Sequence, residues 1–129
     1  MPNPHAAQFA GRWIGETQGY EMPAHIWDIR VVGDTLYIES RWENDTALGR
    51  MSGRMHAEQA SFTIGRHTAV LVDPQHFIIP GWDTNDTRGG IGPDYDVVFS
   101  RPGLPELQAS QVWERFRAAQ SEGTPEAQD

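Results

Sequence analysis

The stretch AHIWDIRVVGDTLYIESRW, residues 24–42, reads as two strands folded about a two-residue turn. Gly33-Asp34 separates two alternating runs, and glycine takes positive φ without steric cost, so the pair predicts a tight hairpin. Side chains alternate across a strand. His25, Trp27, Ile29 and Val31 therefore share one face of the first run, and Leu36, Ile38, Ser40 and Trp42 share one face of the second. Glu39 and Arg41 fall on the opposite face and are expected at the surface, where an unpaired charge keeps its water.

The same pattern extends outward from this hairpin. Short alternating runs occupy residues 9–17 (FAGRWIGET), 50–58 (RMSGRMHAE), 60–66 (ASFTIGR), 68–73 (TAVLVD), 76–80 (HFIIP) and 95–100 (YDVVFS). Eight hairpin-connected strands predict an all-β fold, an antiparallel up-and-down β-barrel over about residues 9–101. Beyond Arg101-Pro102-Gly103 the period changes, and Ala109, Val112, Trp113 and Phe116 fall on one helical stripe. Pro105 suits a first turn and Gly123 lies past the end. A C-terminal α-helix over about 105–120, packed on the barrel and followed by a frayed tail over 121–129, is expected. At 129 residues the chain is expected to form one domain.

Composition narrows the function classes. Acids outnumber bases by 18 to 10, for a formal charge of -8, so neither nucleic acid nor an anionic membrane surface is an expected partner. The absence of cysteine excludes disulfides, thiolate nucleophiles and cysteine-ligated metals. No run approaches transmembrane length and the opening residues lack a secretory pattern, so a soluble, cytoplasmic protein is expected.

Local motifs for chemistry are sparse. His25, His56, His67 and His76 fall in or beside strands, but no H-x-H, H-E-x-x-H or G-x-S-x-G spacing occurs, and no metal site is expected. The polar loop after Trp82 places Asp83, Asn85, Thr87 and Asp94 at calcium-loop positions, yet Arg88 stands where such a loop needs glycine and the flanks are strands. A lid or rim at the barrel mouth fits its length better, with Trp82 at the junction of strand and loop.

FAGRWIGETQGYEMP, residues 9–23, carries a G-x-W-x-G pattern that resembles the first strand of calycin-type barrels, the lipocalins and fatty-acid-binding proteins among them. With LYIESRW (36–42) and MHAEQASF (55–62), the similarity is greatest to the nitrobindin-like branch and covers about the first half of the chain. That branch holds haem through a histidine near the C-terminal end of the barrel. Here no histidine follows His76, and PGLPELQAS carries Glu106 in the comparable place. A carboxylate is not an ordinary axial haem ligand, so the resemblance implies the fold and no cofactor is expected.

Alternation is compatible with either a solid or a hollow interior. Met51 and Met55 bracket Gly53, a combination that suits a cavity wall as well as a core gap. The leading expectation is a barrel binding a small hydrophobic or amphipathic molecule, lined by Trp13, His25, Trp27, Trp42, Met51, Met55, Phe62, His76, Phe77 and Trp82, with His25, Ser40 or His76 fixing orientation. Two alternatives stand beside it: a cofactor-free isomerase or cyclase using a histidine or acid for proton transfer, and a homodimeric interaction module without ligand.

Overall fold

The Gly33-Asp34 hairpin forms in the register its turn dictates. In the computed structural model of the chain, which describes residues 3–18, 23–82, 95–105 and 107–123, Gly33 takes φ 62. Strand β2 (His25–Val32) pairs antiparallel with β3 (Thr35–Trp42), from Val32 opposite Thr35 to His25 opposite Trp42. A 3-10 turn, Ala6–Phe9, precedes β1 (Gly11–Thr17). The chain continues through β4 (Gly49–Met55), β5 (Ser61–Ile64), β6 (His67–Asp73), β7 (His76–Trp82) and β8 (Tyr95–Ser100) to α1 (Ala109–Gly123). Each strand pairs with the next, and β8 pairs with β1, giving a closed eight-stranded antiparallel barrel with one C-terminal helix. The polar loop over 83–94, Glu106 and residues 124–129 lie outside the described residues, and with them the calcium-loop positions and the lid.

Several boundaries differ from the sequence pattern, each for a local reason. β1 starts at Gly11 because the residues before it wind into the 3-10 turn, which drives Phe9 into the barrel at 0% exposure. β4 ends at Met55, and the connection to β5 turns through Glu58 at φ 61. β7 runs past Pro80 to Trp82 through a register irregularity between Ile79 and Trp82. The helix begins at Ala109, later than Pro105, where the Ala109 N–H donates to Gln18 Oε1 and the Gln108 N–H to Gln111 Oε1. Those side chains satisfy amide groups that a helix start leaves without intrahelical partners.

The barrel is filled at the end that holds the β2–β3, β4–β5 and β6–β7 turns. Phe9, Trp13, Phe62, Phe77 and Phe99 are all at 0–1% exposure, with Phe77 stacked on Phe99 at 4.6 Å and Phe9 edge-on to Phe62 at 4.9 Å. Two glycines make room for these rings: a Cβ on Gly15 would meet Phe99 at 2.5 Å, and one on Gly53 would meet Phe62 at 2.8 Å. Asn3 ties the turns together, its N–H donating to Asp34 Oδ1 and its amide to the carbonyls of His56 and Gln59. Outside the wall, Val112, Trp113 and Phe116 of α1 cover Val72, Ile78 and Val98, so the stripe read from sequence is the helix's packing face. Among the described residues no helix is long and apolar enough to cross a membrane.

β1 and β8 close the barrel by pairing from Ile14 opposite Ser100 to Thr17 opposite Val97, and Arg101, just after β8, extends that junction toward the closed end. Its guanidinium lies 3.9 Å from the Trp13 ring centroid and donates to the carbonyls of Arg12 (3.2 Å) and Gln8 (2.9 Å). Gly11 has φ 107, and a Cβ there would stand 2.9 Å from Arg101 Nη1. Gly11→Ala is expected to lose about 1–3 kcal/mol from backbone strain, and Arg101→Met a comparable amount from the lost cation–π contact and hydrogen bonds. Urea denaturation of both single variants and the double checks this. Because the two residues touch, their effects should add to less than the sum.

Candidate functional site

The other end of the barrel is hollow. A cavity of about 590 Å³ opens there, walled by His25 and Trp27 from β2, Ser40 and Trp42 from β3, Met51 from β4, Ile64 from β5, His67 from β6 and Trp82 from β7. Two features of the chain create the space. First, β5 is short: Gly65, at φ 59, turns the chain directly into β6. β4 and β5 pair only through Arg54–Thr63 and Met55–Phe62, so Gly49, Met51 and Ser52 border the cavity.

The second feature re-aims Trp82. Phe77 and Ile79 face the interior, and strict alternation would send Trp82 outward. The register irregularity at Pro80-Gly81, with Gly81 at φ 64 and its N–H on Asp96 Oδ1, shifts the phase by one residue. Trp82 then packs edge-on against Trp27 at 5.8 Å and lies over His67 at 4.8 Å. Across the cavity wall, His25 lies over Trp42 at 4.4 Å, and Trp27 packs against Phe99, also at 4.4 Å. The cavity is thus bounded by indole and imidazole faces, with Arg41, Asp45 and Arg66 at its rim.

His25 is the polar group set deepest in this wall, at 7% exposure, and its Nε2 has no hydrogen-bond partner among the described residues. Burial lowers its pKa from 6.5 to about 4, so the ring is neutral at pH 7. Thr17 Oγ1, on the inward face of β1 toward the same end, is the other buried side-chain atom without a partner. Orphaned polar atoms of this kind are uncommon in folded chains, because each forfeits its bonds to water.

Of the residues expected to line a site, His25, Trp27, Trp42, Met51 and Trp82 meet at the cavity, and Ser40 joins them. Trp13, Met55, Phe62 and Phe77 instead fill the closed end. His76 faces outward because its neighbour Phe77 faces in. Its Nδ1 donates to Asp73 at 2.9 Å, and Arg115 of α1 reaches the same carboxylate at 3.3 Å. Burial raises the Asp73 pKa, but His76, the Gln75 N–H and Arg115 together outweigh that and hold it below the ordinary value. His67 escaped the sequence reading, although alternation with Ala69 and Leu71 places it inward. Arg41 sits on the outer face of β3, as expected, yet lines the rim.

A second concavity, about 410 Å³, lies along β1 to β4 among Arg12, Asp28, Arg30, Tyr37, Glu39 and Arg50. Its charges are matched: Arg12 grips Asp28 at 2.8 and 2.9 Å, Arg50 meets Glu39 at 3.5 Å and Arg30 lies over Tyr37. Among the described residues no group of three or more histidines and acids is placed to hold a metal ion.

The His25 environment has a consequence for stability. A histidine that stays neutral when folded leaves the proton to the unfolded chain, so stability is complete above about pH 6.5 and falls as pH drops toward 4. The full loss is about 3 kcal/mol. Asp28 and Asp73, both held below 3.8, contribute above that value and lose their share only in stronger acid. Urea midpoints between pH 7 and 4.5 should therefore fall more steeply for the native chain than for His25→Phe, and equal slopes would contradict this assignment.

Protein-family models, curated proteins and solved structures yield no match to the chain.

Proposed function

We propose that the chain is a calycin-like barrel that binds a small, partly apolar molecule in its open-end cavity. The observation that carries this reading is the division of one barrel interior into a packed half and a hollow half, the hollow half walled by Trp27, Trp42 and Trp82. Its volume, about 590 Å³, falls within the range of small-molecule sites, which are mostly apolar with a few placed polar groups. Apolar burial against the indoles supplies affinity, and His25 and Ser40 supply orientation.

Binding is favoured over proton-transfer catalysis by the state of His25. A general base works best with a pKa near the operating pH, whereas burial takes this imidazole to about 4. It suits a hydrogen bond better than a proton shuttle. Among the described residues the exposed large apolar side chains form no continuous surface: Val32, Tyr37, Leu48 and Leu104 are spread from the β2–β3 hairpin to the rim and the linker before α1.

The neutral fluorophore N-phenyl-1-naphthylamine tests apolar binding by itself. One saturable site with a micromolar Kd is expected, with quenching of tryptophan emission. Met51→Trp, which places an indole in the cavity wall, should weaken binding at least tenfold while the far-ultraviolet circular dichroism stays unchanged. Absence of saturable binding to the native chain would defeat the proposal.

A further inference from the structure

We propose that the occupant is a flat lactam-type ring, with an N–H and a carbonyl side by side on one edge, held by the main chain of Ser52 at a slot in the cavity wall. This rests on the ligand-binding reading above and adds chemical class and orientation to it.

The slot lies where β5 stops short of β4. The two strands pair through Arg54–Thr63 and Met55–Phe62. Continued, that register would set Ser52 opposite Gly65, but Gly65, at φ 59, has already turned the chain into β6. Ser52 and Gly65 are both exposed and both border the cavity, so the cavity reaches the wall at this break. Ser52 stands between the inward Met51 and Gly53, and alternation turns its side chain outward. What it presents to the slot is main chain.

The direction of that main chain follows from its neighbours. The Met55 N–H donates to the Asp34 carbonyl at 2.8 Å, toward β3, and the His56 N–H donates to the Ser61 carbonyl at 3.0 Å, toward β5. Backbone groups along an antiparallel strand address its two neighbours by turns. Arg54 and Ser52 therefore share the direction of His56. Arg54 meets Thr63 there, whereas the Ser52 N–H and C=O have no strand partner among the described residues.

An extended residue of this kind offers one donor and one acceptor side by side. The edge of a lactam is its complement: the ring carbonyl accepts from the Ser52 N–H, and the ring N–H donates to the Ser52 carbonyl. Bare strand edges are ordinarily paired or covered. This one borders a cavity whose lining includes Trp42, Met51, Ile64 and Trp82, apolar surface for the body of the same ring. An ether oxygen in place of the ring N–H would set its lone pairs against the Ser52 carbonyl.

Two bicyclic rings of one shape separate this pairing from apolar burial: 2-quinolinone, a lactam, and coumarin, in which oxygen replaces the N–H. Titrated calorimetrically against the intact native chain, quinolinone should bind about tenfold more tightly, the increment of one hydrogen bond of about 1.4 kcal/mol. Ser52→Pro removes the N–H while sparing the β3 ladder, because that amide points away from β3. It should weaken quinolinone binding about tenfold and leave N-phenyl-1-naphthylamine bound as in the native chain. Ser52→Ala keeps the N–H and should bind both as the native chain does. Equal affinity for the two rings overturns the proposed class while leaving small-molecule binding intact, as does failure of both where N-phenyl-1-naphthylamine binds. A Ser52→Pro variant that binds quinolinone and N-phenyl-1-naphthylamine unchanged overturns it too. Failure of all three probes on the native chain defeats both readings. The comparison of rings needs no variant, so a misfolded Ser52→Pro does not blunt it.

Discussion

The guanidinium of Arg101 resting on the Trp13 indole ties the last strand to the first beyond the end of their backbone pairing. A meander becomes a barrel only if its first and last strands meet, and this contact joins them at the closed end. Trp13 is wholly buried and its Nε1 donates to the Phe9 carbonyl at 2.9 Å, fixing the 3-10 turn that plugs the barrel. Arg101 continues from β8 and holds that same turn through Gln8. Burial lowers its pKa, yet an arginine remains charged in proteins. The lost water is offset by two carbonyls and the ring face. The glycine and tryptophan of the G-x-W pattern thus have one shared cause: Gly11 leaves space for the guanidinium and Trp13 receives it.

From that anchored end the interior divides. Phenylalanine rings, admitted by the missing side chains of Gly15 and Gly53, fill the lower half to contact. Above them the short β5 and the Pro80-Gly81 irregularity leave a volume that the indoles border without filling. A buried imidazole with an orphaned nitrogen lowers stability, most of all in mild acid. The rigid, closed end supplies the stability that tolerates it.

Much of this was legible in the chain because strand alternation is a local property. Gly33-Asp34 set the register of β2 on β3, and that register alone placed His25, Trp27, Ser40 and Trp42 on one inward face. The helical stripe of Ala109, Val112, Trp113 and Phe116 was likewise legible, since its period differs from a strand's. The site was legible only in part. Alternation says which residues face inward, but not how far along the barrel axis each one sits. Trp13, Phe62 and Phe77 face inward like Trp27 and Trp42, and only their height separates core from cavity wall. His67 was overlooked because nothing beside it in sequence marks it as functional.

By itself the sequence determined the strand count, the all-β class, the C-terminal helix and the inward faces of the central hairpin, because each follows from turn chemistry and side-chain period. Tertiary structure alone decided which inward residues meet at the cavity. Pairing across distant strands sets axial height, a glycine bulge turned Trp82 inward against local alternation, and burial among neighbours made His25 neutral. Those are effects of surroundings assembled from far along the chain, and no local pattern carries them.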